Sequence, residues 1–106
     1  MTRRTRFDVR IAEAALRHLD GFELKHQRLL RAVIEDQLVH QPTVETRNRK
    51  LLRPPAPFEA EWELRCGPQN RFRVLYDVDE DEGIVQVLAF GIKERERVHF
   101  PGEEVE

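Results

Sequence analysis

Two groups of basic residues are the features of this sequence whose types and spacing suggest chemistry. The first is a cluster between residues 47 and 53, made of Arg47, Arg49, Lys50 and Arg53. Clustered guanidinium and ammonium groups are typical of segments that contact phosphates, so these four residues are predicted to bind RNA. The second group is Lys93, Arg95 and Arg97, which alternate with glutamates and are followed by a titratable histidine, His99. Alternation places the three cations on one side of a strand, where they form either an anion-binding rim or an ordinary solvated edge.

Metal and cofactor chemistry have little support in the sequence. The four histidines and the single cysteine, Cys66, are scattered, and no pair has the spacing of zinc ligands. The five glycines are spread along the chain and form no phosphate-binding loop. We therefore expect neither a metal nor a cofactor. Cys66 has no histidine near it in sequence, which favours a packed or idle thiol over a nucleophile.

Glu59, Glu61 and Glu63 occupy alternate positions of one predicted strand. Neighbours on one strand face lie about 6.5 Å apart, a separation that paired carboxylates of glycosidases can have. Such enzymes need a deep cleft, however, and this chain is small. Cross-strand pairing of the glutamates with arginines is therefore the better interpretation.

Periodicity predicts the elements that position these residues. Apolar residues alternate over 6–11, 58–65 and 71–78, and 84–92 is apolar on both faces, so four strands are predicted. Helical spacing predicts one helix from Ala12 to about Asp20 and a second from Gly21 or Phe22 to His40. Residues 41–57 show no period and are predicted to form a basic connector. The order β-α-α-β-β-β indicates an α+β domain with an antiparallel sheet, a helical hairpin packed on one face and the other face exposed.

Pairing of the second and third predicted strands across the turn at residues 66–70 would bring Arg65 opposite Arg71. In the same register Glu63 faces Arg73. The exposed face of the sheet is therefore predicted to be charged and able to hold a site.

Composition limits the class of protein. The chain has 106 residues with 18 Lys+Arg and 20 Asp+Glu, and 40% of its residues are hydrophobic, which fits one small domain over residues 1–106 with ends that fray at 1–5 and 101–106. The longest stretch without charge, Gly83 to Ile92, is about half the ~20 residues of a membrane-spanning helix. The basic N-terminus leads into no apolar run, and one cysteine allows no intrachain disulfide. We therefore expect a cytoplasmic protein.

Charge is divided unevenly along the chain. Residues 1–57 carry 12 Lys+Arg and 7 Asp+Glu, whereas residues 58–106 carry 6 and 13. The first half is thus the candidate for contact with an anionic partner. In the second half, seven of the acidic residues fall in the turn at 79–82 and the tail after 102, so they need not oppose such a partner.

Short segments along the whole chain resemble the RelE/ParE superfamily of toxins from bacterial type II toxin–antitoxin systems. The matching segments are Trp62-Glu63-Leu64-Arg65, Phe72 to Val78 and Val87 to Arg95. Leu38 to Pro42 and Arg49 to Leu52 also look like the family's helix end and the connector that follows it. Together they cover about residues 6–100, and the resemblance implies a RelE-like fold.

The resemblance also implies a chemistry and partners. RelE-like toxins are ribosome-dependent mRNA endoribonucleases that repress translation, and they attack the scissile phosphate with a 2′-hydroxyl without a metal. By this resemblance Arg73 and Lys93 hold the phosphate, Arg65 and Arg95 support them, and His99 or Glu63 moves protons. A cognate antitoxin is the implied protein partner, with the ribosome and mRNA as further partners.

This sequence departs from the ribonuclease pattern. Glu61 and Glu63 stand where the ribonucleases place lysines, and Phe100 cannot donate a proton as a tyrosine can. Two alternatives therefore stay open. One is a ParE-like toxin that inhibits DNA gyrase, and the other is a catalytically impaired relative that only binds an antitoxin.

Overall fold

The computed structural model describes residues 6–103, which form one mixed sheet of six strands and two helices that pack against it. The elements are β1 (Asp8–Ile11), α1 (Glu13–Asp20), α2 (Leu24–Leu38), β2 (Arg49–Leu51), β3 (Trp62–Cys66), β4 (Phe72–Asp79), β5 (Ile84–Glu94) and β6 (Arg97–His99). The chain is therefore an α+β protein, as the pattern of periodicities predicts.

Both helices lie close to their predicted positions and bury one apolar face. In α2 the buried residues Leu30, Ile34 and Leu38 recur at the four-residue spacing that forms a stripe along a helix. In α1 the buried residues are Ala15, His18 and Leu19. The Nδ1 atom of His18 accepts the backbone N–H of Phe90 on β5 at 3.3 Å, in place of a backbone carbonyl. His18 is wholly buried.

The sheet is mixed, which corrects the prediction of a purely antiparallel sheet. The strand order is β1-β5-β4-β3-β2, with β6 also paired to β5, and β1 runs parallel to β5 with Asp8 opposite Ile84. All other pairings are antiparallel. Alternation of apolar residues shows which faces of a strand are buried, but it carries no information on the direction of the neighbouring strand. The parallel pairing of β1 with β5 could therefore not be predicted from this pattern.

Two three-residue strands were not predicted. β2 lies inside the predicted connector and pairs with the outer edge of β3, and β6 follows a turn at residues 95–96. Both are too short to show a period of two. The start of the second predicted strand is also wrong, because residues 57–59 form a turn of 3₁₀ helix and β3 begins only at Trp62.

The register between β3 and β4 differs from the prediction by two residues. Arg65 lies opposite Arg73, and Glu63 lies opposite Leu75. The connection has the expected five residues but is displaced by one position, since β3 extends to Cys66 and β4 starts at Phe72. Within it Gly67 has φ +79° and residues 68–70 form a tight helical turn. A two-residue shift keeps every side chain on its predicted face, so Glu63, Arg65 and Arg73 still share one face.

The core lies between the helices and one face of the sheet, and it includes Trp62, Val74, Tyr76, Val87 and Phe90. The opposite face is not fully exposed, which corrects a second expectation. Ala60, Leu75 and Ala89 are buried there under a small apolar cluster that includes Phe100. The end of this face near the β3–β4 turn is open and polar.

The ends of the described chain are ordered against the fold. Pro101 packs on Gly21, and the Glu103 N–H donates to the carbonyl of Phe100 at 2.9 Å. The ends expected to fray are 1–5 and 101–106, of which residues 1–5 and 104–106 lie outside the described residues. Neither helix within residues 6–103 is long and apolar enough to span a bilayer.

Candidate anion-binding site

A polar groove of about 530 Å³ opens at the end of the sheet where β3 turns into β4. Its lining consists of six cations and three carboxamides: Arg47, Asn48, Arg65, Gln69, Asn70, Arg71, Arg73, Lys93 and Arg95. None of the described residues that line it is a carboxylate. A surface of this composition attracts polyanions, because focused positive potential raises their local concentration.

Three strands and three turns bring the six cations together. Arg65 on β3 and Arg73 on β4 are directly opposite one another. Lys93 lies near the end of β5 and is held beside Arg71, since the Lys93 N–H donates to the Arg71 carbonyl at 2.7 Å and Arg71 Nε donates to the Lys93 carbonyl at 3.2 Å. Arg95 lies in the turn before β6 with φ +58°, and Arg47 comes from the turn before β2.

Arg73 is the buried cation of the groove. Its side chain is only 5% exposed, and its Nη1 donates to the carbonyls of Asn70 and Phe72. Burial lowers the pKa of Arg73, while the carboxylate of Glu63 acts in the opposite direction. A guanidinium with so high an intrinsic pKa stays protonated, so Arg73 presents a fixed charge oriented by backbone carbonyls.

Glu63 is the counter-ion of the paired arginines. Its Oε1 lies 3.2 Å from Arg65 Nε, and its Oε2 lies 3.8 Å from Arg73 Nε. Like charges opposite one another on neighbouring strands are destabilising, so a carboxylate between them relieves the repulsion of Arg65 and Arg73. Glu63 does not line the groove, and its role here is to hold two cations at the groove's floor.

The remaining four cations have no acidic partner among residues 6–103. Arg47, Arg71, Lys93 and Arg95 form no ion pair in that part of the chain. Gathering them costs electrostatic free energy that a bound anion would recover. Four unpaired cations around one groove thus favour an anionic ligand over a purely structural role.

The structure separates the predicted RNA-binding residues. Of that cluster only Arg47 lines the groove, and Lys50 and Arg53 lie outside its lining. Arg49 is buried, with 3% of its surface exposed. Its Nη1 donates to the Val44 carbonyl at 2.9 Å, and its Nη2 donates to the carbonyl and Oε1 of Gln37 at 2.9 and 2.8 Å. The buried guanidinium of Arg49 therefore links β2 to the end of α2 through hydrogen bonds.

Four of the five residues predicted for catalysis come together, and one does not. Arg65, Arg73, Lys93 and Arg95 all line the groove. His99 lies on β6 outside the lining, where its Nε2 is 2.8 Å from Glu94 Oε1. The groove lining thus contains no histidine, and no carboxylate, that could exchange a proton near neutral pH.

Sequence reasoning missed Arg71 and the carboxamides Asn48, Gln69 and Asn70. Gln69 and Asn70 had been assigned only to a turn, and Arg71 was considered only as a cross-strand partner. A signal was present, since Gln69-Asn70-Arg71 is separated from Arg73 by one residue on the chain. The tertiary structure adds Asn48, whose carbonyl accepts the Arg65 N–H at 2.7 Å and so fixes the connector beside β3.

Two other titratable groups near the sheet are held in their neutral forms. Burial raises the pKa of Cys66 to about 11, against a smaller lowering effect of Arg73. Burial also raises the pKa of Tyr76, whose hydroxyl donates to the Pro42 carbonyl at 2.6 Å. Both side chains are buried and neither lines the groove, so neither is available to a ligand there.

The distribution of charge in space differs from its distribution along the sequence. Five of the six groove cations come from the acidic half of the chain, and only Arg47 comes from the basic half. A second surface groove, lined by Glu61, Asp77, Asp79, Glu80 and Asp81 among others, lies at the far end of β4. The seven residue steps from Phe72 to Asp79 place the two regions roughly 23 Å apart. The acidic residues therefore do not oppose an anion at the cationic groove.

Comparison with solved structures identifies the architecture. A chain of the RelBE2 toxin–antitoxin complex from Mycobacterium tuberculosis superposes with a TM-score of 0.69 at 22% sequence identity, covering 83% of this chain and 99% of the other. The fold is RelE-like. No protein-family model matches the sequence, and no curated protein matches it.

The RelE-like fold places the groove at the edge formed by β3, β4 and the end of β5. Within residues 6–103 no group of three or more histidine, cysteine or acidic side chains could hold a metal ion. What the groove offers a ligand is fixed positive charge and carboxamide hydrogen bonds.

Proposed function

We propose that this protein is the toxin of a type II toxin–antitoxin system and acts as a ribosome-dependent mRNA endoribonuclease that represses translation. The observation that carries the proposal is the groove itself, in which four of the six cations form no ion pair and no carboxylate lines the groove, among residues 6–103. The RelE-like fold supports it, because the similar chain belongs to a toxin–antitoxin complex. An antitoxin that covers the groove is the expected protein partner.

The proposed reaction is an internal transfer at phosphorus. The 2′-oxygen of one nucleotide attacks the adjacent phosphorus, the bond to the 5′-oxygen breaks, and the products carry a 2′,3′-cyclic phosphate and a 5′-hydroxyl. Arg73 and Lys93 stabilise the negative charge that develops on the phosphoryl oxygens, with Arg65 and Arg95 beside them. Water takes the proton of the 2′-hydroxyl and gives a proton to the 5′-oxygen, because the described residues that line the groove include no histidine and no carboxylate.

Induction in cells without an antitoxin tests this proposal. Wild type is expected to stop growth and to create new 5′ ends inside translated reading frames, detectable by primer extension. These ends should carry a hydroxyl and so should require phosphorylation before ligation. Lys93→Ala should lower cleavage at least about a hundredfold, as expected for loss of a group that stabilises a transition state. Arg31→Ala removes an exposed cation of α2 that lies beside Glu82 and Gly83, at the other end of the sheet, and should leave cleavage unchanged. Growth arrest without new ends would refute the ribonuclease proposal.

A second candidate is a ParE-like inhibitor of DNA gyrase that binds without cleaving RNA. The observation that favours it is the lack of a histidine or carboxylate in the groove lining. Plasmid supercoiling after induction separates the two functions. Relaxed or cleaved plasmid with intact mRNA would support the inhibitor, and normal supercoiling with cut mRNA would exclude it.

A further inference from the structure

The strand β1 forms an open edge of the sheet. The strand order β1-β5-β4-β3-β2 places β1 and β2 at the two ends of this series. At the β2 end the outward backbone groups of Arg49 are already used, since the Thr46 N–H donates to the Arg49 carbonyl at 2.9 Å and the Arg49 N–H donates to the Thr46 carbonyl at 3.3 Å. No such bridge covers the middle of β1 among residues 6–103.

Hydrogen bonds on the inner side of β1 show which of its backbone groups point outward. The N–H groups of Asp8 and Ala12 donate to the carbonyls of Gly83 and Val87, both at 2.8 Å, so residues 8, 10 and 12 face β5. Successive residues of a strand point their backbone groups to alternate sides. The N–H and carbonyl of Val9 therefore point away from the sheet, and neither has a hydrogen-bond partner among residues 6–103. An unpaired edge of this kind is a template for another strand.

The side chains of β1 divide into a charged face and an apolar face. Asp8 and Arg10 lie on one face, with 66% and 59% of their side chains exposed, and Arg10 Nε is 3.2 Å from Asp8 Oδ2. Val9 and Ile11 lie on the other face and are half-buried against the core. The exposed face of this edge thus carries one negative and one positive charge, two residues apart.

A cavity of about 610 Å³ lies between β1 and α2. Its apolar lining includes Phe7, Val9 and Ile11 from the strand side and Ile34 from α2. An added strand could therefore place apolar side chains in this cavity while its backbone pairs with the edge.

From this arrangement we propose that β1 is a dimer interface, in which the β1 strands of two copies of this chain pair across a two-fold axis at Val9. A two-fold axis makes two identical edges antiparallel. The Val9 N–H of each copy then donates to the Val9 carbonyl of the other. Arg10 of each copy lies opposite Asp8 of the other, in the kind of pair whose side chains are closest.

The length of the pairing is limited by the fold. The Phe7 N–H already donates to the Val39 carbonyl at 2.7 Å, so the edge is closed at that residue. Pairing over residues 8–10 is as long as β2 or β6, which have three residues each. A short pairing with two charge pairs predicts a weak dimer.

The charges of the edge favour a second copy over a partner of one charge sign. A polyanion would meet Asp8 with like charge, and a basic segment would meet Arg10 with like charge, whereas a two-fold copy gives each of them an opposite charge. Neither β1 nor α2 contributes to the lining of the cationic groove, so the dimer leaves that groove open. The inference is therefore independent of the proposed function.

Sedimentation velocity of the full chain at low salt tests the inference. The mass is expected to rise from 12.6 kDa to twice that value as the concentration increases. A dissociation constant of roughly 10–100 µM is expected, in keeping with a small interface. In hydrogen exchange, the Val9 amide should become more protected as the dimer forms.

Charge reversals locate the interface. Asp8→Arg and Arg10→Asp each place like charges opposite one another, so each should weaken dimerisation at least about tenfold. The double variant that carries both changes restores opposite charges and should return the dissociation constant to within about threefold of the wild-type value. Lys25→Glu changes the net charge by as much as Arg10→Asp, at an exposed position outside the β1 cavity, and should leave dimerisation unchanged. Thermal unfolding shows whether each variant is folded, and the two single reversals replace one another if one of them unfolds.

Three results would overturn the inference. A wild-type chain that stays monomeric up to about 1 mM lacks the dimer, because that concentration is well above the expected dissociation constant. A dimer that both single reversals leave intact, or that forms without protecting the Val9 amide, uses another surface. A double variant that stays as weak as the single reversals shows that Asp8 and Arg10 do not face one another across the axis. None of these results affects the cleavage expected of the cationic groove, which is tested by Lys93→Ala.

Discussion

Replacement of Arg49 by methionine tests the conclusion that this arginine stabilises the fold from inside. Three hydrogen bonds from its guanidinium would be lost, to the Val44 carbonyl and to the carbonyl and Oε1 of Gln37. Hydrogen bonds to a charged group contribute about 1.5–3 kcal/mol each. Removal of the cation also removes the desolvation cost of a charge that has no carboxylate beside it, and its buried Nε has no hydrogen-bond partner.

The two effects oppose one another, and the lost hydrogen bonds are expected to outweigh the relieved desolvation. We expect Arg49→Met to lower the free energy of unfolding by about 3 kcal/mol, a large share of the roughly 5–15 kcal/mol of a domain of this size. The midpoint of thermal unfolding should then fall by roughly 12–24 °C.

Urea and thermal denaturation followed by circular dichroism measure the change. The matched control is Lys50→Met, the next residue on β2, whose side chain is exposed, and it should shift stability by no more than about 0.5 kcal/mol. If Arg49→Met destabilises the protein no more than Lys50→Met does, the buried role assigned to Arg49 is refuted.

Three further outcomes are expected. Glu63→Gln should lower the free energy of unfolding by about 1 kcal/mol at low salt, because Arg65 and Arg73 lose their shared counter-ion, and it should tighten the binding of sulfate. Unfolding at two salt concentrations measures the first effect, and a sulfate titration measures the second. A change in stability that does not depend on salt would contradict this role of Glu63. Tyr76→Phe leaves the buried Pro42 carbonyl without its donor and should cost about 1–3 kcal/mol in urea denaturation, whereas an unchanged midpoint would show that the bond contributes nothing. The Cys66 thiol, with its pKa raised to about 11, should react with a disulfide reagent at pH 8 far more slowly than in urea, and equal rates would contradict its burial. Because folding holds this proton more tightly than the unfolded chain does, the stability it contributes is complete below pH 9.0 and is lost as the pH rises towards 11.

The positions of the predicted site residues in the structure show which of them could be predicted from the sequence. Arg65, Arg73, Lys93 and Arg95 were proposed together and do line one groove. They lie on strands or directly after them, and alternation along a strand determines which side chains share a face. Arg49 had the same residue type in an equally basic segment, but burial gave it a different role. Residue type alone cannot distinguish an arginine that faces a ligand from one that faces a backbone carbonyl.

The sequence by itself determined the α+β class, both helices, the faces of the strands and the RelE-like resemblance. Each of these follows from local periodicity or from short motifs, which depend on neighbouring residues only. The tertiary structure alone decided the parallel pairing of β1 with β5, the register that brings Arg65 opposite Arg73, and the joining of Asn48 to Asn70. It also decided that five cations from the acidic half of the chain surround one groove. These features depend on contacts between residues far apart in the chain, and such contacts are set by the packing of the whole sheet and by turn lengths that no local pattern encodes.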